Sequence, residues 1–457
     1  MLRGFSILNT QYFVLFTAYL ILTSCNSQKP NQTSNDRLYK KDNNDLNAKY
    51  LVYHINDTVS NLFYDISNET IVYKKTDTST FFYSDIKLVA EISDENNLSK
   101  VLDTATIYIR DKQSNVDVKQ LKGLLNLRLR ATKNYHLSIT VFDANKKTKY
   151  ASSIYADKTS NITRQNFLVT DNTSANASRV HSINSATTSA YGSVTNNNIH
   201  YTAYYKPNET VAISSERYKE TLLTIDYFKP HFKIAVPPFS ADQTQRFNYK
   251  PDSAFSISVD FDSAQSPSRK AILNLPSVGF YHLKTNDDTK EGVTFFVYEP
   301  TFPKIKNAEQ MILATRYIMA KKEFDNCMNA LDKKQAIDNF WLEISGNNER
   351  ARELIKKYYG RVQEANKLFT SYQEGWKTDR GMIYIVFGAP NTVTKRKYGE
   401  MWTYGESGNT NSIYFQFTKV INPFTDNDFT LERSETFKLP WYQAVDLWRQ
   451  GRVYIDN

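Results

Sequence analysis

From Tyr50 to about Asp171, apolar and polar residues alternate with period two. Runs such as LVYHI, NLFYDI, TIVYKK, FFYSDIKLVAEI, TATIYIR, NLRLRA and YHLSITVFDA are rich in Tyr, Val, Ile and Thr, and Asn, Asp, Ser and Lys turns separate them. Short strands that bury one face and wet the other read this way, and a succession of them predicts an antiparallel sandwich. Residues 172 to about 302 repeat the style in HYTAYY, ETLLTIDYF, FKIAVPPF and GVTFFVYEP, punctuated by Pro237, Pro238 and Pro251. They predict a second β-rich domain. Alternatively, the polar stretch NTSANASRVHSINSATTSA is a long loop within one larger domain.

After Pro303 the period becomes 3.6. Ala308, Met311, Ile312, Thr315, Ile318 and Met319 fall on one helical face; Ala336, Ile337, Phe340, Trp341 and Ile344 form a second stripe. Ala351, Leu354, Ile355, Tyr358, Val362, Ala365 and Phe369 form a third. The chain then reads as strands again in MIYIVF, EMWTYG, SIYFQF and FTLERS. A helix over PWYQAVDLWRQG ends it, with Pro440 near its start and Gly451 at its end. The expected fold is therefore mostly β with a C-terminal α+β module. One or two antiparallel β-sandwich domains (49–171 and 172–302) precede a helical segment and a small antiparallel sheet (303–457).

The N-terminus changes the picture of where such a chain works. Arg3 is followed by an apolar run, Tyr12 to Leu22, too short and too near the start for an ordinary spanning helix. Residues 1–24 read as a signal peptide. Leu22-Thr23-Ser24-Cys25 resembles a bacterial lipobox, so Cys25 is the expected lipidation site; the alternative is a plain secretory signal that contains a Cys. Several acyl chains on one Cys make a durable anchor. Residues 25–48 are polar and poor in aliphatics, and predict a flexible tether. A chain of that length spans about 25 Å. The outer membrane is the expected location, with the periplasmic or surface face undetermined. Only Cys25 and Cys327 exist, so a lipidated Cys25 leaves Cys327 without a disulfide partner, and it reads as a buried small hydrophobe.

Residues 374–390, EGWKTDRGMIYIVFGAP, concentrate unusual residue types. Thr378 and Asp379 suit acceptance of backbone N–H bonds in a turn. Gly375 and Gly381 suit either a positive φ or a close backbone approach. Trp376 offers a large area for burial. Arg380 suits pairing with Asp379, Glu374 or Glu400. Asp379 has no His, Cys or second carboxylate beside it in the motif, so the stretch reads as a turn that starts the strand MIYIVF, with no catalytic residue in it. The same residues resemble the GWxTD domain family of Bacteroidota lipoproteins. Phe340-Trp341, Tyr358-Tyr359, Met401-Trp402-Thr403-Tyr404 and Trp448-Arg449-Gln450-Gly451 also fit its pattern. The resemblance implies lipid-anchored or exported envelope proteins with β-domains ahead of this module. It implies no activity.

Other chemistry is sparse. The six histidines are widely spaced, without HxH, HxxxH or HExxH pairs, so no metal site is expected. No phosphate-loop or GxSxG signature occurs, and no cofactor or small-molecule substrate is indicated. The net charge of +9 is dispersed, so nucleic acid is not an expected partner. The 31 Tyr and 27 Phe read mainly as strand core. Tyr201, Tyr204 and Tyr205 could instead form an exposed binding patch. Thr58, Thr104, Ser253 and Ser263 lie in Asp-Ser/Thr-small patterns that look like O-glycosylation acceptors of such envelope proteins. The expectation is a non-enzymatic lipoprotein, a scaffold or accessory subunit among other envelope proteins in outer-membrane protein assembly, secretion or surface transport. The alternative is a surface glycan-binding or glycan-processing lipoprotein.

Overall fold

The structure, a computed structural model, describes residues 34–35, 46–160, 162–171, 199–217, 222–230, 232–241, 250–258, 270–284, 291–396, 398–406, 408–409 and 411–452. Cys25 and Ser263 lie outside the described residues. A short strand, β1 (Ser34–Asn35), comes first and is placed below. The alternating region folds into β2 (Ala48–His54), β3 (Val59–Ser67), β4 (Lys74–Lys75), β5 (Phe82–Asp94), β6 (Asn97–Gln113), β7 (Gln120–Arg128), β8 (Asn134–Asp143) and β9 (Thr148–Asp157). One sheet runs β2-β3-β7. The other runs β6-β5-β8-β9, with β4 beside the start of β5, and all pairs are antiparallel. Period-two sequence becomes period-two burial: Tyr135, Leu137, Ile139 and Val141 of β8 meet Ile86, Leu88, Ala90 and Ile92 of β5 and Leu62, Tyr64 and Ile66 of β3 in one core.

The second β region contains β10 (Leu168–Asp171), β11 (Tyr204–Tyr205), β12 (Glu209–Ser214), β13 (Leu222–Phe228), β14 (Ser253–Ser258), β15 (Ala271–Leu275), β16 (Gly279–Lys284) and β17 (Gly292–Val297). β10 pairs with β12, which carries β15. The opposing sheet runs β11-β17-β16-β13-β14. Their shared core includes Val211, Ile213, Leu223, Ile225, Leu273, Leu283 and Phe295. β16 and β17 are buried on both faces. Their outer face therefore needs a cover, and the last module supplies it.

That module contains α1 (Ala308–Thr315), α2 (Lys321–Asn329), α3 (Lys333–Ser345), α4 (Asn348–Phe369), α5 (Asp379–Phe387), then β18 (Thr392–Arg396), β19 (Gly399–Tyr404), β20 (Ile413–Lys419), β21 (Phe429–Leu431) and α6 (Lys438–Arg449). The sheet order is β1-β18-β19-β20-β21, all antiparallel. All five tryptophans of the chain lie in its core. The expected fold class holds: β-sandwiches, then helices with a small antiparallel sheet. Among the described residues no helix is long and apolar enough to cross a membrane.

Several runs differ from expectation: TIVYKK and HYTAYY keep only Lys74–Lys75 and Tyr204–Tyr205 as strand, FKIAVPPF (232–239) forms none, and one run changes type. MIYIVF is not a strand but part of α5, buried along its whole length. A continuous apolar run has no period, so a buried helix and a buried strand look alike in it. The elements packed around the run decide between them, and an N-terminal cap marks where the helix starts. Thr378 Oγ1 accepts from Gly381 N at 3.0 Å, and Thr378 O accepts from Met382 N at 2.9 Å, which closes the first turn.

Candidate functional site

The motif makes a corner between α4 and α5. α4 ends at Phe369, and its last turn is held by Thr370 Oγ1, which donates to Asn366 O. Thr370 Oγ1 in turn accepts from Gly375 N at 2.8 Å, while Asn366 Oδ1 accepts from Trp376 N at 3.1 Å. The chain then makes one 3-10 turn, Gly375–Lys377, closed by Thr378 Oγ1 donating to Gly375 O at 2.7 Å. A Cβ on Gly375 would lie 1.9 Å from Ala365 O, and one on Gly381 would lie 1.8 Å from Gly375 O. Neither glycine has a positive φ. Of the two sequence-level reasons for glycine here, close backbone approach is the operative one. Trp376 is buried, and its carbonyl accepts from Tyr317 Oη at 2.7 Å.

Asp379 is the first residue of α5, where a carboxylate complements the helix dipole. Its partner is Arg433, a residue no local pattern connects to it. Asp379 Oδ1 accepts from Arg433 Nη2 at 2.6 Å and Oδ2 from Nη1 at 3.2 Å; Oδ2 also accepts from Leu431 N at 2.8 Å. Arg433 Nη2 reaches on to Val236 O at 3.1 Å. Val236 belongs to the segment following β13, so the pair ties the last module to the second β region. Ala235 N donates to Lys377 O and Ser434 N to Pro238 O beside it.

Arg380 does not pair with Asp379 or Glu374. It is buried between Phe429, 3.9 Å from the ring centroid, and Phe369, at 5.1 Å. Its guanidinium donates to the carbonyl and side-chain oxygens of Asn427 and lies 3.5 Å from Glu400 Oε2. Glu400 also accepts from Trp402 Nε1 at 3.1 Å. Of the three carboxylates considered from sequence, only Glu400 is in reach, and the contact is a single long one rather than a bidentate pair.

Residues 279–450 match the family model described as the GWxTD domain. The match starts at the first residue of β16, so this GWxTD region takes in the two central strands of the second β region along with the last module. No curated protein matches the chain. Among solved structures, a β-glucuronidase from Bacteroides uniformis aligns over 24% of this chain and 13% of its own at 11% identity, with a TM-score of 0.17. An Escherichia coli alpha-2-macroglobulin activated by porcine elastase aligns over 54% of this chain and 22% of its own at 10% identity, with a TM-score of 0.13. The chain thus spans well under two thirds of either protein, and at these scores the likeness carries no functional argument.

The extent of the GWxTD match agrees with the packing. On the outer face of β16 and β17, Phe280 and Phe296 join Phe228, Tyr298 and Phe424 in an aromatic layer shared by both units. Phe424 sits edge-on to Phe280 at 5.1 Å and to His282 at 4.9 Å. Tyr298 Oη donates to Ser371 O at 2.7 Å and Tyr204 Oη to Thr370 O at 3.1 Å, so β17 and β11 are stitched to the segment just ahead of the GWxTD corner. Tyr201 Oη donates to Tyr64 O at 3.1 Å, and Tyr205 is buried against Phe295. The tyrosines of 201–205 face inward and form no exposed patch. At the edge of this layer Asp428 accepts from Tyr372 Oη and Asn422 Nδ2. Burial pushes its carboxyl up to about 6.

A second buried polar network lies in the first sandwich and carries no sequence signature. Lys158 Nζ donates to Leu129 O at 2.7 Å, Ser60 Oγ at 3.0 Å and Val59 O at 3.2 Å. Ser60 Oγ also meets His54 Nδ1 at 2.8 Å, and His54 Nε2 meets Asp157 O at 2.8 Å. The two contacts fix the tautomer: Nε2 carries the proton, because a carbonyl can only accept. Burial holds His54 down to about 4 and Lys158 to about 8. Ser, His and Lys side by side are the residue types of nucleophilic chemistry, yet all three are fully buried. Their donors and acceptors serve to hold β2, β3 and the chain after β9 together.

Thr58, Thr104 and Ser253 are exposed, at a turn, on β6 and at the start of β14. Among the described residues no group of three or more His, Cys, Asp or Glu side chains could hold a metal ion. Cys327 is buried, and its thiol points to Ala336 O at 3.8 Å.

Proposed function

We propose that this chain is a lipid-anchored, non-enzymatic scaffold or accessory subunit of a cell-envelope complex. The supporting observation is that the charged groups of the GWxTD corner are used internally. Asp379 spends both oxygens on Arg433 and Leu431 N, and Arg433 continues to Val236 of the neighbouring β region. A motif of this composition that locks one unit to the next suits a rigid platform better than a reaction centre. The glycan-binding alternative draws less support, because Tyr204 and Tyr205 are packed inside. Lipidation at Cys25, the outer membrane and envelope-protein partners remain part of this reading on the strength of the lipobox-like Leu22-Thr23-Ser24-Cys25. Affinity purification of the tagged chain from detergent-solubilised native membranes tests it. Co-purification with stoichiometric envelope proteins is the expected result, and elution as an isolated monomer overturns it.

A further inference from the structure

β1 places the N-terminal segment on the last module rather than on the first. Asn35 pairs with Val393 and Ser34 with Thr394, so stepping back along β1 means stepping forward along β18 toward Arg396. The β18–β19 turn and the β20–β21 loop lie side by side at that end, joined by Lys419 N donating to Tyr398 O at 2.9 Å. Two large apolar residues stand out into solvent there, Tyr398 at 56% and Ile421 at 78% exposure. Arg396 is exposed beside them; burial holds the Lys395 ammonium below its ordinary range near Glu400 and Arg380, and Lys419 pairs with Asp426 at 3.3 Å.

We infer that this end of the last module, Tyr398 and Ile421 with Arg396 and Lys419 in the same turns, rests on an anionic lipid surface. An aromatic ring and an aliphatic side chain with basic neighbours match the interfacial zone of a bilayer: apolar groups enter the headgroup boundary while cations meet anionic headgroups. Chain length supports the same occupant. Cys25 precedes Ser34 by nine residues, which reach at most about 30 Å when extended. A lipid on Cys25 therefore enters the membrane within that radius of Ser34, on the strand whose direction leads to the basic end. The inference rests on the lipid-anchor reading above. It adds an orientation: the last module is membrane-proximal, although it is farthest from Cys25 in sequence.

The test uses the full chain, expressed with its own leader and carrying Cys327→Ser and Ile421→Cys labelled with an environment-sensitive fluorophore. A Leu331→Cys label serves as the solvent control, since Leu331 is fully exposed. The protein is reconstituted with vesicles of phosphatidylcholine mixed with phosphatidylglycerol, or of phosphatidylcholine alone. We expect the 421 label to shift to the blue and be quenched by doxyl-labelled lipid, more on the anionic vesicles, with the 331 label unaffected. Arg396→Glu should lower the ratio of lipid-inserted to aqueous 421 label about tenfold. A chain that floats with vesicles while its 421 label stays aqueous overturns the surface contact alone and leaves the anchor intact. A chain that does not float overturns both.

Discussion

Asp379 and Arg433, 54 positions apart, meet in a two-pronged pair at 2.6 and 3.2 Å with both side chains almost wholly out of solvent. Burial makes the pair asymmetric: leaving one charge alone in the interior is far costlier than removing both. Asp379→Asn should lower the unfolding free energy by about 3–5 kcal/mol. The double variant Asp379→Asn, Arg433→Met should recover part of that loss. Denaturant melts of the four-member cycle check this; strict additivity would mean that the two groups act independently.

The motif glycines and Gly360 should respond oppositely to alanine. A Cβ at Gly375 or Gly381 would penetrate a backbone carbonyl, whereas one at Gly360, inside α4, meets nothing within 4 Å. Gly375→Ala and Gly381→Ala should each cost about 3 kcal/mol or more, since backbone must move. Gly360→Ala should gain about 0.5–1 kcal/mol from helix propensity. Thermal melts monitored by circular dichroism separate the two classes.

Two buried groups should tilt the acid limb of stability in opposite directions. The imidazole of His54 is held down to about 4, so between about 6.5 and 4 the unfolded chain binds the extra proton. Its contribution is complete above 6.5 and is lost as pH falls through that window. Asp428 is raised to about 6 from 3.8, so there the folded chain holds the extra proton. Its stabilising effect is complete below 3.8 and is lost as pH rises to 6. His54→Gln should therefore flatten the loss of stability between pH 6.5 and 4. Asp428→Asn should steepen it and raise stability near pH 7, by at most about 3 kcal/mol. Urea midpoints across pH 4–7 give both slopes.

The aromatic layer predicts coupled unfolding of the second β region and the last module. Phe424→Ala removes the ring that stands against Phe228, Phe280 and His282, at a cost of about 3–5 kcal/mol. Tyr298→Phe removes only the bond to Ser371 O and should cost about 1 kcal/mol. Calorimetry should show the Phe424 variant split into separate transitions while the Tyr298 variant keeps the parent pattern. Unchanged cooperativity in the Phe424 variant would mean that the layer does not couple the units.

Sequence alone determined most of the alternating strands and the helical stripes. Residue type also gave the two alternatives for the motif glycines, positive φ or close backbone approach, because period and residue type are local signals. What it could not decide was anything carried by contacts distant in the chain. Thr378-Asp379-Arg380 reads as a turn before a strand, and only the surrounding α4, β21 and α6 make the apolar run that follows a helix with its cap. Arg433 and Asn427 were invisible as partners because nothing in their own neighbourhoods marks them. His54 and Ser60 already face each other across the β2–β3 hairpin, but only the sandwich brings Lys158 to them. The tyrosines of 201–205 read mainly as core with an exposed patch left open, and β11 lying beneath the last module closes that alternative. Hydrophobic period records which face of an element is dry; which other element dries it is a property of the assembled chain.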